Sequence, residues 1–105
     1  MTDAIDFDSA TATELSQQLA EGKCSSRELT EYYLKRIDTL NPAINAVITV
    51  CADAAIAAAE AADRRRASGD ATPLTGIPLL HKDIFCTQGV RTSCASKMLD
   101  NFVPP

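Results

Sequence analysis

The 105-residue sequence contains no tryptophan, only three phenylalanines and two tyrosines, and only four glycines. Although 46% of its residues are apolar, 17 of these are alanines, and leucine, isoleucine, valine and phenylalanine together number 23. A chain of this length forms one small domain, and so few large apolar side chains predict a thin hydrophobic core. No run approaches the roughly 20 apolar residues needed to cross a bilayer, so we expect no membrane-spanning segment.

Basic residues are also scarce. Ten lysines and arginines stand against 14 aspartates and glutamates, which gives a formal net charge of −4. This balance argues against the broad basic face with which proteins bind nucleic-acid phosphates. The run Arg64–Arg66 is better explained as a helix end, where positive charge stabilises the helix dipole, than as an RNA contact. The acidic start, Met1–Asp6, lacks the basic and apolar parts of a secretory signal, and we therefore expect a cytoplasmic protein.

Cysteine spacing and histidine content give little support for a metal site. The four cysteines contain no Cys-x-x-Cys pair, and His81 is the only histidine, so zinc binding is not expected. Because no secretory signal is present, we expect four free thiols, most of them buried. The sequence also lacks a glycine-rich phosphate-binding loop. We therefore expect this chain to bind no cofactor of its own.

Helix start and stop signals divide the first two thirds of the chain. The segments Thr11–Glu14 and Ser25–Glu28 both have the spacing of a capping box. Apolar residues then recur every three or four positions, until Gly22 ends the first helix and Asn41-Pro42 ends the second. An alanine-rich third helix follows and stops before Gly69. The predicted helices span about 12–21, 26–40 and 52–68.

Two short apolar segments predict β-strands. Residues 46–51 are mostly β-branched and contain neither glycine nor proline, which favours a buried strand. Residues 77–82 follow a turn at Thr75-Gly76 and are again apolar until the charged pair Lys82-Asp83. The order helix, helix, strand, helix, strand indicates the beginning of an α/β fold.

Lys82 is the residue whose setting best suggests reactivity. A lysine at the end of an apolar strand is partly desolvated, and desolvation disfavours the charged ammonium form. A neutral lysine acts as a base or a nucleophile. The alternative is that Lys82 and Asp83 form an ordinary ion pair at the surface.

Two other arrangements would use His81 as a base. It could activate Ser93 or Ser96, but neither serine lies in a Gly-x-Ser-x-Gly elbow. It could instead activate the thiol of Cys86 or Cys94, although an isolated cysteine is more often a small buried apolar residue.

The segment Gly76-Ile77-Pro78-Leu79-Leu80-His81-Lys82-Asp83 resembles the amidase signature family, whose members share a Gly-Ile-Pro-x-x-x-Lys-Asp core. The ending Lys97–Pro105 narrows the resemblance to the glutamine-hydrolysing chains of tRNA-dependent amidotransferases within that family. The earlier segments Ser25–Thr30 and Leu40–Val50 resemble the family's second helix and first strand. The resemblance therefore covers nearly the whole chain.

This resemblance implies a mixed central sheet flanked by helices, with residues 1–105 as the N-terminal part of a single larger domain. It also implies a catalytic triad of a serine, a second serine with a cis peptide bond, and a lysine that matches Lys82. Neither serine has a counterpart here, because the family's Gly-Gly-Ser-Ser-Gly-Gly-Ser type of segment lies downstream. Alone, the chain is expected to be inactive. Ala95 stands where many relatives have glycine, which puts the local turn in question.

The resemblance further implies partners and an activity. The complete enzyme would hydrolyse glutamine and use the ammonia on glutamyl-tRNA(Gln), together with two further chains, the B and C subunits. ATP and Mg would then be used by the complex rather than by this chain. Two alternatives remain: another amidase of the family that acts on small or aryl amides, and a non-catalytic interaction module. In that module, Leu15, Leu19, Leu29 and Tyr33 would face a partner helix.

Overall fold

The structure is a computed structural model that describes residues 5–105. It contains three α-helices, α1 (Ala12–Ala20), α2 (Ser26–Ile44) and α3 (Ala52–Ala67), followed by a short 3₁₀ turn at Lys97–Leu99. Between residues 5 and 105 there is no β-strand. The predicted α/β fold, with strands at about 46–51 and 77–82, is therefore wrong for the part of the chain that the structure describes.

The first predicted strand fails because a side chain takes the backbone groups that a neighbouring strand would use. The Asn41 carboxamide accepts a hydrogen bond from the Val47 N–H (2.8 Å) and donates one to the Val47 carbonyl (2.8 Å). Asparagine side chains often compete with regular structure in this way. Ile48 and Val50 are exposed, so this β-branched segment forms an extended connection from α2 to α3.

The second predicted strand fails for a different reason. Ile77 donates its N–H to the Leu74 carbonyl in a turn (3.2 Å), and Pro78 has no N–H to donate. Leu79 and Leu80 follow with most of their surface exposed, at 72% and 71%. A strand needs a partner for its backbone. Ile77 packs against the apolar core, but no neighbouring strand pairs with residues 77–82 within residues 5–105.

Both predicted capping boxes are present. Thr11 accepts a hydrogen bond from the Glu14 N–H (3.2 Å), and the Glu14 carboxylate accepts one from the Thr11 N–H (3.2 Å). Ser25 and Glu28 make the same reciprocal pair at the start of α2. Each box satisfies two backbone groups that a helix end leaves without partners. These two helix starts are therefore fixed by residues three positions apart.

The prediction that Asn41-Pro42 ends the second helix is wrong, because α2 continues through Pro42 to Ile44. Proline removes one N–H and one helical hydrogen bond, and here it does so within the last turn. The helix stops where Asn45 adopts a left-handed conformation with φ of 49° and donates its N–H to the Asn41 carbonyl (2.7 Å). Asparagine tolerates this conformation better than most residues.

A small apolar core lies where α1, α2 and their connection meet. Leu29 is fully buried, and Tyr33 and Ile77 pack against the buried cluster from the sides. The buried members of this cluster are Leu15, Leu19, Cys24 and Leu29. Helix α3 packs against α2, and its Asp63 carboxylate accepts hydrogen bonds from the backbone N–H groups of Ser26 (2.7 Å) and Arg27 (3.1 Å).

The described chain divides into a helical region, residues 5–70, and a loop region, residues 71–105. Three side chains of the helices bind backbone carbonyls at the start of the loop region. Ser16 donates to Pro73 (2.5 Å), Ser26 to Gly76 (2.7 Å) and Arg66 to Thr75 (2.9 Å). The hydrogen bonds found for residues 81–105 all stay within that range. Lys82 thus lies in a segment that is anchored to the helices only near its beginning.

Candidate functional site

Lys82 opens an exposed turn rather than ending a strand. The Phe85 N–H donates to the Lys82 carbonyl (3.1 Å), which closes the turn over residues 82–85. The Lys82 side chain is exposed, so the desolvation expected from a strand end is absent in this structure. Among residues 5–105 its ammonium group makes no ion pair, and the alternative of a surface pair with Asp83 is not formed.

His81 lies beside Lys82 but contacts neither of the candidate serine nucleophiles. Its Nδ1 lies 3.3 Å from the Thr87 hydroxyl, and its ring packs at 5.5 Å from the ring of Phe85. The Ser93 hydroxyl instead donates to Asp83, and Ser96 accepts from the Met98 N–H (3.3 Å). The structure therefore does not bring together a serine and a histidine as a nucleophile and base.

The cysteines are less buried than predicted. All four are free thiols, as expected, but Cys24 alone is buried, Cys51 is half-buried, and Cys86 and Cys94 are exposed. Burial, and then the carboxylates of nearby acidic residues, raise the pKa of the Cys24 thiol, which makes it a poor nucleophile at neutral pH. The two exposed cysteines, Cys86 and Cys94, both lie in the loop region.

Asp83 holds the turn of Lys82 against a second loop. Its carboxylate accepts hydrogen bonds from the Ser93 N–H (2.9 Å) and from the Ser93 hydroxyl, and its carbonyl accepts one from the Cys94 N–H (3.0 Å). The Ser93 hydroxyl, and after it the Ser93 N–H, hold the pKa of the Asp83 carboxyl below its ordinary value. The two residues are ten positions apart and lie on different loops, so no local sequence pattern indicates this contact.

The loop that binds Asp83 contains two strained residues. Cys94 and Ala95 have φ angles of 51° and 58°, and the Ser96 N–H donates to the Ser93 carbonyl (2.8 Å). Positive φ at both central positions defines a tight turn that prefers glycine or asparagine. The turn at Ala95, which the sequence put in question, is therefore formed with alanine in a glycine-like conformation.

Residues 100–104 bind the segment that leads into Ser93. The Thr92 N–H donates to the Phe102 carbonyl (3.0 Å), and the Gly89 N–H donates to the Pro104 carbonyl (2.9 Å). The Arg91 guanidinium binds the Asp100 carboxylate. Together these bonds bring the segment 100–104 against residues 89–92, which are continuous with Ser93. The site is thus an exposed lysine on a turn. Residues 93–94 support this turn through Asp83, and residues 100–104 in turn support residues 89–92.

Potential metal ligands do not cluster within residues 5–105, and two surface depressions lie away from Lys82. Between residues 5 and 105, no three histidine, cysteine or acidic side chains lie close enough to hold a metal ion. Two surface depressions of about 310 and 490 Å³ lie on α2 and at the connection from α1 to α2, and Lys82 borders neither. No helix in the described range is both long and apolar enough to cross a membrane.

Comparison with known proteins gives relatives across nearly all of this chain. A protein from Alkalilimnicola ehrlichii, named as the A subunit of glutamyl-tRNA(Gln) amidotransferase, is 63% identical over 95 residues, which are 90% of this chain and 20% of that protein. Proteins of the same name from Thioalkalivibrio sulfidiphilus and Chromobacterium violaceum are 60% and 58% identical, again over about 90% of this chain. The chain therefore spans about a fifth of the length of the curated relatives it matches.

A family model also matches most of the chain. The model described as Amidase matches residues 28–105, which begin in α2 and include α3, the Lys82 turn and the loops that support it. This range is about three quarters of the chain. The chain therefore belongs to the amidase family.

Proposed function

We propose that the chain forms the N-terminal part of the glutamine-hydrolysing subunit of a glutamyl-tRNA(Gln) amidotransferase. One observation carries this proposal: three relatives that bear that enzyme's name are 58–63% identical to the chain over about 90% of its residues. In this role the complete subunit would release ammonia from glutamine, and the ammonia would convert glutamyl-tRNA(Gln) to glutaminyl-tRNA(Gln).

Lys82 is the residue to which we assign catalysis. By resemblance to the amidase signature family, it is the lysine of a triad whose two serines lie outside this chain. The nucleophilic serine would attack the amide carbon of glutamine, the carbon–nitrogen bond would break, and ammonia would leave. Lys82 would accept the serine proton through the second serine and return it to the departing nitrogen.

A resting base of this kind must be neutral, which requires desolvation. The side chains around Lys82 offer a surface for that purpose, because Leu79, Leu80, Ile84 and Phe85 are all more than half exposed, at 72%, 71%, 52% and 55%. A patch of this kind on a domain usually marks an interface. We propose that the rest of the subunit, about four fifths of its length, covers this patch and removes water from Lys82.

The other parts of the reaction belong to other chains in this proposal. The B and C subunits would complete a heterotrimer in the cytoplasm, and the B subunit would use ATP and Mg to activate the tRNA-bound glutamate. This division is consistent with the composition, because an acidic chain without a glycine-rich phosphate loop is poorly suited to bind ATP or tRNA.

The proposal can be tested in a chimeric complex. The 95 aligned residues of this chain replace the matching segment of the Alkalilimnicola ehrlichii protein, which is 63% identical, and the chimera is purified with its partner chains. We expect glutamine hydrolysis within about tenfold of the unmodified complex. Lys82→Ala should reduce it by at least about a thousandfold, because the triad would lose its base.

Lys97→Ala is the matched control, since Lys97 is another exposed lysine of the loop region and should be replaceable without loss. Near-normal turnover by Lys82→Ala would remove Lys82 from the mechanism. A chimera that assembles but hydrolyses only small or aryl amides would favour the other amidases of the family. Assembly without any hydrolysis would support the non-catalytic interaction module.

A further inference from the structure

The backbone that carries Lys82 is fixed by the residue that follows it. Asp83 accepts three hydrogen bonds from two consecutive residues about ten positions later: two from Ser93 to its carboxylate and one from Cys94 to its carbonyl. A carboxylate that accepts both the N–H and the hydroxyl of one serine is restrained in direction as well as in distance. These bonds restrain the backbone and the side chain of Asp83, and the bond from the Phe85 N–H to the Lys82 carbonyl restrains the peptide before it.

We call the contact between Asp83 and Ser93 the clamp, and its Ser93 end is also fixed by hydrogen bonds. Ser93 and its neighbour Thr92 are 5% and 2% exposed, and the Thr92 N–H binds the Phe102 carbonyl at 3.0 Å. The Thr92 hydroxyl lies within hydrogen-bonding distance of the Phe85 and Val90 carbonyls, at 3.3 and 3.1 Å. Ser93 is thus a buried and fixed point rather than a mobile loop residue.

The clamp does not involve the side chain of Lys82. No hydrogen bond or ion pair of the Lys82 ammonium is found among residues 5–105, although Asp83 is its direct neighbour. The Asp83 carboxylate is instead turned toward Ser93, and this contact lowers its pKa and keeps it ionised. An arrangement that fixes the main chain of a base and leaves its nitrogen free is what proton transfer from a serine requires.

We propose that Asp83, clamped by Ser93, is a positioning residue for Lys82; this inference rests on the proposed catalytic role of Lys82. Asp83 does not touch the reacting atoms. It sets the direction in which the Lys82 side chain leaves the backbone, so that its nitrogen reaches the serine of the triad. A displacement of about 1 Å at a catalytic group can lower the rate by about a hundredfold.

The test uses the chimeric complex and measures kcat and KM for glutamine in Asp83→Asn, Ser93→Ala and the double variant. We expect each single variant to lower kcat by about tenfold to a hundredfold, while KM changes by less than about threefold. The double variant should lose no more than the more impaired single variant, because both changes break the same contact. Ser93→Thr keeps the hydroxyl and should restore most of kcat.

A second activity separates positioning from general damage. Formation of glutaminyl-tRNA(Gln) with ammonium chloride as the nitrogen source needs the assembled complex but not glutamine hydrolysis. We expect Asp83→Asn and Ser93→Ala to keep this activity within about twofold of the parent. Asp70→Asn is the matched control, because Asp70 is an exposed acid at the end of the helical region, 3.8 Å from Arg65, and should leave both activities unchanged.

Two results would overturn the positioning role. One is a kcat within about twofold of the parent in both single variants, and the other is an equal loss of the glutamine-dependent and ammonia-dependent activities. Failure of the proposed function is distinguishable, because it would appear as full glutamine hydrolysis by Lys82→Ala. If Lys82→Ala is inactive and Asp83→Asn is fully active, Lys82 remains catalytic and the clamp alone is rejected.

Discussion

The helical region and the loop region are stabilised by different forces. In the helical region the large buried side chains are apolar, and Leu15, Leu19 and Leu29 are each at most 5% exposed. In the loop region the buried residues are Thr75, Thr92, Ser93 and Pro104, while most of its leucines and phenylalanines are exposed: Leu74, Leu79, Leu80, Phe85 and Phe102. Apolar burial therefore drives the folding of the first region, whereas hydrogen bonds define the shape of the second.

This difference explains how a reactive residue can be held without a core beneath it. A hydrogen bond contributes only about 1 kcal/mol net to stability, but it fixes distance and direction. The bonds from Ser93 to Asp83 and from Thr92 to Phe102 therefore specify the geometry of the loop region without making it very stable. The contacts at Pro73, Thr75 and Gly76 connect this geometry to the helices.

The largest effect should come from comparing one leucine in each region. Leu29→Ala removes a fully buried side chain and should lower the free energy of unfolding by about 2–5 kcal/mol. Leu79→Ala removes a side chain that is 72% exposed and should change it by less than about 0.5 kcal/mol. Urea unfolding of the 105-residue chain, followed by circular dichroism, measures both. Similar losses in the two variants would remove the contrast between the regions.

The next effect tests the connection between the regions. A Cβ atom at Gly76 would lie 2.9 Å from both Cβ and Oγ of Ser26, whereas one at Gly69 would meet nothing within 4 Å. Both glycines have positive φ, 86° and 80°, so both alanine variants carry backbone strain of about 1–2 kcal/mol. Gly76→Ala should lose about 1–3 kcal/mol more because of overpacking. Equal losses in the same unfolding measurement would show that the Ser26 contact is unimportant.

A smaller effect is expected from the carboxylate that joins α3 to α2. Asp63 accepts the N–H groups of Ser26 and Arg27 in the first turn of α2, where a negative charge also stabilises the helix dipole. Asp63→Ala should cost about 1–2 kcal/mol. Asp38→Ala, which removes an acid from the second half of α2, should cost nothing. Thermal unfolding measures both changes. An equal loss of stability in the two variants would show that Asp63 does not cap α2.

The strained turn of the loop region gives a change in the opposite direction. Ala95→Gly should stabilise this region by about 0.5–1 kcal/mol, because glycine adopts positive φ without the strain that alanine carries at 58°. Ala71→Gly is the control, since Ala71 does not have a positive φ and gains nothing from glycine. Amide hydrogen exchange near residues 93–96 should slow in Ala95→Gly only. Faster exchange there would contradict the strain argument.

The smallest effect is a pH dependence that separates the regions. The folded pKa of Asp83 is lowered chiefly by the Ser93 hydroxyl, so its contribution is present above the unfolded value of about 3.9 and is lost as pH falls through the folded pKa. Asp6 and Glu21 have lowered pKa values too, through the Ser9 and Lys23 side chains. As the pH falls below about 3.9, the amides of the loop region should lose protection from exchange, and Asp83→Asn should reduce this loss in the loop region only. If amide exchange at Ser93 has the same pH dependence in Asp83→Asn as in the parent, this prediction is wrong.

Local signals in the sequence predicted the helices better than anything that depends on distant residues. A capping box is complete within four residues, and both boxes are present where Thr11 and Ser25 indicated them. A strand needs a neighbour that the segment itself does not contain. The Asn41 side chain, six positions from Val47, satisfies the backbone there in place of a strand. That is why a β-branched composition gave the wrong prediction.

Contacts between distant residues were also the part of the candidate site that the sequence did not predict. The Lys82 motif was recognisable because it is continuous in the sequence, and its assignment as the catalytic lysine stays a prediction. Its desolvation was inferred from a strand that is absent from residues 5–105, and the structure leaves Lys82 exposed. The Asp83–Ser93 contact joins two loops, so it depends on how the chain returns on itself. Periodicity and composition carry no information about that return.

The order in which the two regions can form during synthesis follows from where their contacts lie along the chain. The bonds that start α1 and α2 are complete once Glu14 and Glu28 have been made, whereas Gly89 receives its partner only when Pro104 has emerged. Chains are extended at about 5–20 residues per second. For about one to four seconds of each synthesis, the turn that carries Lys82 therefore follows helices whose starting contacts are already made, while the segment that supports it is still being added.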